Sequence, residues 1–464
     1  MSQKKNIVYF VAFAAATAGL LFGLDVGVIS GAQKFIEEEW KVTPVVMGQI
    51  VAGLLWGATL GALLSGFVSA ALGRKKTMLI AAVLFVVGSV GCALATSPGM
   101  LIGLRVFLGL GVGMASFIAP LYLSEVAPQR MRGSMVSMYQ LLITIGIVVA
   151  QLSDAYFASY ATIGGQTGGH WRWMLGVLAL PASLMFLAVL TLPESPRWLL
   201  MKGREEDCRG VLDKVRSSEE EIQQEIGEIK RDLKLPQNGL ELFLQNANFR
   251  RACFLGFALQ TIQQLTGINV VIYYMPKIIE VAGFSSTTEQ MWGNVLMGVV
   301  NVLSTFIAIA FVDRWGRKPI MYAGFVVMGA AMTTVGAIFH MGVDSGPSLP
   351  YIAIGGLLVF ILGFAMSAGP IVWILCSEIY PLNGRDFGVT VSTGTNWIVN
   401  GIVGASFPVL LGTLGPGNTF LLYGGLEVLF IVFFVLYVPE TRGVSLERIS
   451  ENLMNGKPLR ELGT

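Results

Sequence analysis

Apolar and polar residues occur in long separate blocks along this chain. Twelve windows of about 20 to 27 residues consist almost entirely of apolar side chains and glycine, which is the length of a helix that crosses a lipid bilayer. The windows form two sets of six, at about 7–31, 46–71, 77–96, 101–123, 134–154 and 173–193, and at about 251–275, 290–312, 319–340, 351–377, 387–411 and 419–438. The pattern predicts an all-α membrane protein with twelve transmembrane helices in two six-helix halves.

Composition and charge support this prediction. Of 464 residues, 54% are hydrophobic and 13% are charged, against about 25% charged in soluble domains. The net charge of +2 gives no reason to expect a nucleic-acid partner. The four cysteines have no spacing typical of a metal site or a disulfide framework, so we expect no metal and no cofactor. The first apolar run is too long for a secretory signal, and we interpret it as the first retained span.

Lysine and arginine cluster in the loops on one side of the predicted helices. The opposite loops 97–100 and 412–418 contain neither residue. The basic clusters lie at 4–5, 74–76, 130–132, 197–251 and 314–318, at Arg385 and in the tail. By the positive-inside rule this side is cytoplasmic, so both termini are expected in the cytoplasm.

Short motifs recur about 250 residues apart. They are Gly73-Arg74-Lys75-Lys76 with Gly316-Arg317-Lys318-Pro319, Ser124-Glu125 with Ser377-Glu378, and Pro193-Glu194-Ser195 with Pro439-Glu440-Thr441. A parallel duplication of six-helix halves, with a binding site between them at mid-membrane, is a known transporter plan. We therefore predict an N-terminal bundle over 1–193, a cytoplasmic linker over 194–248, a C-terminal bundle over 249–440 and a cytoplasmic tail over 441–464.

The linker is the one sizeable polar segment of the sequence. Ser218 is followed three residues later by Glu221, which is the spacing of a capping box. An isoleucine and leucine stripe at helical spacing follows: Ile222, Ile226, Ile229 and Leu233. We predict a short helical subdomain whose stripe packs on the cytoplasmic face of the bundle rather than on a partner protein.

Asp25 is a carboxylate inside the first apolar window. Such a charge is costly in hydrocarbon and is by default functional. Arg105 in the fourth window is its expected partner, because both residues lie about 8–9 Å below the outer ends of their predicted spans. The proton affinity of Asp25 would then change as the pair opens and closes. The alternative is a buried aspartate that only joins two helices.

Neutral polar side chains lie at helical spacing on four other spans. They are Gln140, Thr144 and Gln151; Gln260 and Gln264; Asn294 and Asn301; and Asn396 and Asn400. Amides both donate and accept hydrogen bonds, which suits a ligand covered in hydroxyl groups, and Trp373 and Trp397 could stack on it. The alternative is interhelical hydrogen bonding without a ligand. No cluster of basic residues lines the spans, which argues against an anionic substrate.

Two further sets of charges remain. Near the two Gly-Arg-Lys turns we expect ion-pair networks that join the halves on the cytoplasmic side, formed by Arg74, Glu125, Arg132, Arg317, Glu378 and Arg385. Glu427 lies near the middle of the last span. It either faces a hydrated cavity as a second proton site or is a neutral core acid, and we favour the second interpretation.

These motifs give the chain a strong resemblance to sugar porters of the major facilitator superfamily, over nearly its whole length. The resemblance is greatest to the galactose and arabinose proton symporters of bacteria. It rests on Arg105, on Pro120 to Glu125, on Pro193 to Trp198, on Gln263-Gln264 to Asn269, on Asp313 to Lys318 and on Pro439 to Gly443. It implies the major facilitator fold and a place in the bacterial inner membrane.

The resemblance also assigns roles. Asp25 matches the proton-accepting aspartate of the symporters, and Arg105 matches its regulatory arginine. The positions that match sugar-binding residues are Phe22, Gln140, Ile143, Gln263, Gln264, Asn269, Tyr273, Asn301, Gly369, Trp373, Asn396 and Trp397. One departure is Ala70, which stands where the superfamily usually has aspartate and predicts a weaker network in that half.

The sequence thus predicts a transporter, working as a monomer, that imports a neutral monosaccharide with a proton by alternating access. A facilitator that uses the same site without a proton is the nearest alternative. A sugar sensor without transport is a remote one, because a sensor usually needs a long signalling tail and only about 25 residues follow Pro439. No nucleophile and base set or metal-ligand spacing indicates an enzyme.

Overall fold

The computed structural model describes the backbone of residues 2–127, 132–163, 170–216, 218–232, 239–381, 384–444 and 446–463. All regular secondary structure in these ranges is helical. The chain divides into two compact units, one made of Met1–Lys41 and Gly53–Pro236 and the other of Val42–Ala52 and Gln237–Thr464. The predicted linker is therefore divided: its residues up to Pro236 group with the first unit and those from Gln237 with the second.

The helices of the first half of the chain, in order, are α1 Ser2–Trp40, α2 Pro44–Leu72, α3 Arg74–Ala93, α4 Pro98–Val126, α5 Arg132–Ile163, α6 His170–Gly176, α7 Ala179–Thr191, α8 Pro196–Met201, α9 Glu205–Val215 and α10 Glu219–Asp232. Those of the second half are α11 Gly239–Gln245, α12 Ala247–Leu265, α13 Ile268–Val281, α14 Thr287–Trp315, α15 Arg317–Met341, α16 Leu349–Met366, α17 Ala368–Glu378, α18 Arg385–Tyr437 and α19 Leu446–Met454.

All twelve predicted spans correspond to helical segments of the structure. Ten helical segments in the described ranges have the length and hydropathy of a membrane span. One of them, the 53-residue α18, contains two spans that meet at Gly415, where φ is 75°. Helix α14 supplies the remaining span. Three of the described spans are interrupted, between α6 and α7 at 177–178, between α12 and α13 at Gly267 with φ 91°, and between α16 and α17 at Ser367.

The predicted end of the first span near Gly31 was wrong. Helix α1 continues to Trp40, because no helix-breaking residue occurs before that point and its last turn is held from α6. The Trp171 Nε1 and the Arg172 Nη1 each donate to Glu39 Oε2 at 2.7 Å. Asp25 is therefore 15 residues, or about 22 Å, from the end of its helix rather than 8–9 Å.

Helices α1 and α5 pack closely along a stripe of glycines on α1. A Cβ atom at any of these glycines would lie 1.9–2.7 Å from an atom of α5, the stripe being Gly19, Gly23, Gly27 and Gly31. At Gly23 the obstacle is the backbone carbonyl of Ile143, which cannot rotate away. The glycine spacing of four residues thus sets the distance between the two helices that carry Asp25 and the α5 polar face.

Gly23→Val should therefore destabilise the protein by about 3 kcal/mol or more, at the upper end of the range for overpacking, because α1 must move away from α5. Gly66→Val on α2 is the matched control, since a Cβ atom there meets nothing within 4 Å. Thermal unfolding of the purified variants in detergent measures the difference. Equal melting temperatures for the two variants would contradict the packing described here.

The linker helices α8, α9 and α10 form a small core of their own. Ile222, Ile226 and Ile229 are buried against residues of α8 and α9, so the predicted stripe packs mainly within the linker, while Leu233 lies outside the described residues. The Ser218 hydroxyl accepts a hydrogen bond from the Glu221 amide at 3.2 Å, as the capping spacing predicts. Burial raises the pKa of the Cys208 thiol in this core to about 11.

Arg216 connects this small core to the end of α4. It is 2% exposed and forms an ion pair with Glu225 of α10. Its guanidinium also donates to the carbonyl oxygens of Val126 and Ala127, at 2.9 and 3.3 Å. These are carbonyls that the last turn of a helix leaves without intrahelical partners. The linker is thus anchored beside the charged turn that begins α3.

Candidate functional site

Asp25 and Arg105 meet inside the first unit, as the sequence predicts. The side chains are 0% and 1% exposed, and the closest atoms, Asp25 Oδ2 and Arg105 Nη2, are 3.9 Å apart. That distance is too long for a hydrogen bond. Neither carboxylate oxygen of Asp25 has a hydrogen-bond partner in the part of the chain that the structure describes. The Asp25 carboxyl group therefore lies near a positive charge, but no hydrogen-bond donor among the described residues holds its orientation.

The strength of this contact depends on the protonation of Asp25. Two opposite unit charges about 4 Å apart attract by about 4 kcal/mol at an effective dielectric constant of about 20. A proton on Asp25 removes that attraction, and loss of the proton restores it. The pair can therefore couple the presence of a proton to the position of α1 relative to α4.

A second buried acid lies on α5 in the same unit, and the sequence analysis missed it. Asp154 is 0% exposed, and neither of its carboxylate oxygens has a hydrogen-bond partner among the residues described. It packs against Gly31 of α1. The signal was present, because Asp154 follows Gln151 by three residues and so continues the polar face that begins at Gln140.

The second unit contains a network of amide side chains. The Asn396 Nδ2 donates to Gln260 Oε1 at 2.7 Å and to Gln263 Oε1 at 2.8 Å. The Gln263 Nε2 donates in turn to the carbonyl oxygens of Ala368 and Gly369, at 2.9 and 3.1 Å. These carbonyls follow the break at Ser367 between α16 and α17. The network thus joins α12, the broken span and α18.

This network fixes which hydrogen-bonding atoms remain for a ligand. Both N–H bonds of Asn396 and both of Gln263 are engaged, so the Asn396 Oδ1 is left as an acceptor. A second amide pair forms nearby in sequence, where the Asn269 Nδ2 donates to Gln264 Oε1. The Gln264 Nε2 then remains a donor and the Asn269 Oδ1 an acceptor. Such a mixed set of donors and acceptors suits hydroxyl groups.

Two tyrosines of α13 form hydrogen bonds to α18. The Tyr273 hydroxyl donates to Asn400 Oδ1 at 3.2 Å, and the Tyr274 hydroxyl donates to the Gly404 carbonyl at 2.7 Å. Six of the residues predicted to bind sugar take part in these hydrogen bonds. Asn396 is joined to Gln263 and Gln263 to the Gly369 carbonyl, Gln264 is joined to Asn269, and Tyr273 is joined to Asn400.

The remaining predicted binding residues lie elsewhere in their units. In the first unit, Ile143 is buried where α5 meets Gly23, and Gln140 is exposed one turn earlier; Phe22 is half-buried on α1. In the second unit, Asn301 is half-buried on α14, Trp397 is 4% exposed on α18, and Trp373 is 40% exposed on α17. The sugar-binding roles of all twelve residues, including those joined by hydrogen bonds, stay predictions.

Charged residues at the start of α3 form one compact cluster. The Arg74 Nε and Nη2 each donate to Glu125 at 2.8 Å, and the Ser195 hydroxyl donates to the same carboxylate at 2.5 Å. Glu194 accepts from the backbone amides of Arg74 and Lys75, at 2.8 and 3.1 Å. The Glu194 carboxylate thus lies at the positive N-terminal end of α3, which is a favourable position for an anion.

The second unit repeats this cluster at the start of α15. The Arg317 Nη2 donates to Glu378 Oε1 at 3.0 Å, and Glu378 also accepts from the Thr441 hydroxyl. Glu440 accepts from the amides of Arg317 and Lys318, at 3.0 and 2.9 Å. The recurring Pro-Glu motif therefore caps the third membrane span of each half, a role that was not predicted from the sequence.

The ion pairs of the two clusters each lie within one unit. Arg385, predicted to join the Glu378 network, donates to the Tyr380 carbonyl at 3.3 Å. The side chains of Arg132 and Asp313 lie outside the described residues. Ala70 stands at the position where an aspartate was expected from the resemblance. The Arg74 Nη1 donates instead to the carbonyl oxygen of the preceding residue, Ser69, at 3.2 Å. The first-half cluster is thus well connected despite the replacement.

Glu427 is buried in the second unit, against α15. Its exposed fraction is 0%, its Cβ and Cγ pack on Gly329, and its carboxylate oxygens have no hydrogen-bond partner within the described ranges. This environment fits the favoured interpretation of a neutral core acid. No group of three or more histidine, cysteine or acidic residues that could hold a metal ion occurs among the described residues.

Comparison with known proteins fixes the family. A family model for sugar and other transporters matches residues 11–453. The chain belongs to this sugar transporter family. It is 55% identical over 461 residues to the galactose-proton symporter of Escherichia coli K12, covering 99% of this chain and 97% of the symporter. It is 48% identical over 466 residues to the arabinose-proton symporter of the same strain, covering 100% of this chain and 97% of that protein.

Solved structures of the family give the fold. The xylose transporter XylE from E. coli, in a partially occluded inward-open conformation, matches with a TM-score of 0.83 and 31% identity, over 94% of this chain and 99% of XylE. The proton:xylose symporter XylE bound to 6-bromo-6-deoxy-D-glucose matches with a TM-score of 0.79 and 30% identity, over 99% of each chain. The predicted twelve-helix major facilitator fold is confirmed.

Proposed function

We propose that this protein imports a neutral monosaccharide together with a proton, and that it exposes its sugar site alternately to the two sides of the membrane. The observation that carries the proposal is the buried Asp25 carboxyl group, 3.9 Å from the Arg105 guanidinium and without a hydrogen-bond donor in the described part of the chain. The names of the galactose-proton and arabinose-proton symporters that it resembles support the same conclusion.

The proposed cycle begins with the proton. Protonation of Asp25 neutralises its charge and weakens its attraction to Arg105, which favours the outward-facing state that binds sugar. Sugar hydroxyls then bind to the amides around Gln263 and Asn396. When sugar and proton have left on the inner side, the ionised Asp25 pairs again with Arg105 and the protein returns to its starting state. The proton gradient thereby drives the uptake of sugar.

The orientation and assembly state belong to the same proposal. We place the protein in the bacterial inner membrane with both termini in the cytoplasm, because the basic loops of the sequence lie on that side. The clusters around Glu194 and Glu440 are then at the cytoplasmic ends of their spans. The protein acts as a monomer in this proposal, with sugar, proton and lipid as its partners.

The test is the movement of protons when sugar is added. Purified protein in liposomes, without a pH gradient, is given galactose, arabinose or xylose on the outside while the external pH is recorded. Symport predicts that the external medium becomes alkaline at the rate of sugar uptake. Uptake of sugar without any change in pH would instead show a facilitator. A competition panel of the same sugars with glucose and fructose identifies the substrate.

Asn396→Ala should raise the KM for sugar about tenfold, which corresponds to about 1.4 kcal/mol, the loss of roughly one hydrogen bond. The substitution removes the acceptor offered to the ligand and also frees Gln263 from its position. Asn418→Ala is the matched control, because Asn418 is an exposed asparagine of the same helix that donates only to its own Leu414 carbonyl. Initial rates of labelled sugar uptake give both KM values, and a KM shared by Asn396→Ala and the parent would exclude Asn396 from the site.

A further inference from the structure

Asp154 is a buried acid for which the proposed cycle has no use. Its side chain lies on α5, is 0% exposed, and has no hydrogen-bond partner for either oxygen among the residues that the structure describes. An isolated carboxylate is very costly in such a place, and the neutral acid is much less so. A serine, an asparagine or an alanine would fill the space without that cost. The position is therefore suited to bind and release a proton.

Asp154 lies nearer than Asp25 to the end of α1 at Trp40. A Cβ atom at Gly31 would be 2.4 Å from Asp154 Oδ2, so the carboxyl group is at the level of Gly31 on α1. Gly31 is six residues beyond Asp25, which corresponds to about 9 Å along the helix axis. In the proposed orientation the Trp40 end of α1 faces the outside. A proton that enters from there reaches the level of Asp154 before that of Asp25.

A polar side chain, Gln151, lies in the interval between the two acids. Gln151 is 2% exposed and precedes Asp154 by three residues, so both lie on one face of α5. Gly27 packs on Ile147 and Ala150, and Gly31 packs on Asp154. Gln151 is therefore between the level of Asp154 and the level of Asp25. An amide can hold water by hydrogen bonds, which a relay of protons between two carboxyl groups requires.

The charged groups around Asp154 do not neutralise it. Helices α1, α4 and α6 pack against α5. Their histidine and charged side chains, from residue 20 of α1 onward, are Asp25, Lys34, Glu37, Glu38 and Glu39 on α1, Arg105 and Glu125 on α4, and His170 and Arg172 on α6. Within the described ranges, Arg105 is in an ion pair with Asp25, and Arg172 is in an ion pair with Glu39. Asp154 itself is in no ion pair among the described residues.

We infer that Asp154 is a second proton-binding residue, which receives the proton from the outside and passes it to Asp25. A proton from hydronium binds to the Asp154 carboxylate and forms the neutral acid. The O–H bond then breaks as the proton moves through water beside Gln151 to the Asp25 carboxylate. One proton moves and no electron is transferred. The inference rests on the proposed function, because it assigns a route to the proton of that cycle.

The experiment uses the full-length protein in liposomes, with Asp154→Asn, Asp154→Glu and Asp25→Asn. Two rates are measured with whichever of galactose, arabinose and xylose the parent transports fastest. One is sugar uptake driven by a pH gradient, at external pH values from about 5.5 to 7.5, and the other is exchange of labelled for unlabelled sugar at equal pH on both sides. Glu427→Gln is the matched control, since it removes another buried acid whose oxygens have no hydrogen-bond partner in the described part of the chain.

Asp154→Asn should lower driven uptake about tenfold at about pH 7.5 and much less at about pH 5.5, because a tenfold higher proton concentration per pH unit compensates for the missing acceptor. Exchange should stay within about twofold of the parent, because it needs no proton to arrive or leave. Asp154→Glu should keep more of the driven uptake than Asp154→Asn. Glu427→Gln should show the same pH profile as the parent.

Several outcomes overturn the inference. They are parental uptake by Asp154→Asn at every pH, a loss that is equal at every pH, and a loss of exchange as large as the loss of driven uptake. If Asp154→Asn cannot be purified as a folded protein, Asp154→Ser, which also lacks the carboxyl group, carries the test, and a parental pH profile in that variant overturns the inference. A parent protein that moves no proton with sugar would overturn the proposed function instead, so the two failures are distinguishable.

Discussion

Asp25→Asn is expected to abolish the accumulation of sugar against a gradient while leaving exchange across the membrane within about threefold of the parent. Asparagine imitates the protonated acid in shape and charge, so the variant can bind sugar but cannot release a proton. Uptake driven by a pH gradient and exchange at equal pH, both in liposomes, measure the two properties. The expected loss of driven uptake is about 100-fold or more, the scale of removing a group that carries a proton.

Asp25→Glu is the control for this result. It keeps the carboxyl group beside Arg105 and should retain part of the driven uptake, whereas Asp25→Asn retains none. The pH dependence has a definite sign. Driven uptake by the parent should fall as the external pH rises, because fewer Asp25 side chains are protonated on the outside, and exchange by Asp25→Asn should not depend on pH. An Asp25→Asn protein that still concentrated sugar would falsify the coupling role.

Arg74→Ala should destabilise the protein by about 3–5 kcal/mol, because it leaves the Glu125 carboxylate buried without its cation. The two side chains are 8% and 5% exposed, and the guanidinium donates twice to the carboxylate. Arg317→Ala is the matched variant in the second unit. There the side chains of Arg317 and Glu378 are 11% and 17% exposed, so water replaces part of the lost interaction and the cost should be about half as large.

Unfolding of the two variants in detergent gives this comparison. Adding Glu125→Gln to Arg74→Ala should recover part of the lost stability, since the neutral amide no longer needs a cation. An equal loss for Arg74→Ala and Arg317→Ala would mean that burial does not decide the strength of these pairs. The comparison is informative because both arginines begin a helix after a glycine with positive φ, 98° at Gly73 and 90° at Gly316.

The number of spans could be predicted from the sequence because apolar length alone decides it. The duplicated motifs were also visible in the sequence, and they predicted the two halves. Two features of the fold could not be predicted from the sequence. The first span was placed too short because its last turn is polar, whereas contacts from Trp171 and Arg172 stabilise the helix to Trp40. The linker stripe was expected on the bundle, but α8 and α9 cover it.

Site residues could be predicted where the residue type is unusual for its surroundings. They could not be predicted where the role of a residue depends on which distant groups it contacts. A carboxylate in an apolar window is rare, so Asp25 and the opposing Arg105 could be found from the sequence. Asp154 was not predicted as a site residue, because it is the last residue of its apolar window and was not included in the polar face that contains Gln151. The role of Glu194 escaped because its partners are backbone amides 119 and 120 residues earlier, which no side-chain motif indicates.

The carboxylates that cap α3 and α15 are synthesised long after the helices that they bind. Glu194 returns to α3 over 120 residues, and Glu440 returns to α15 over 123 residues. Each contact joins the end of a half to the third membrane span of the same half. While the ribosome is still synthesising the second half, both partners of the Glu194 contact are already present. Each of these two contacts can thus form as soon as its own half has been synthesised.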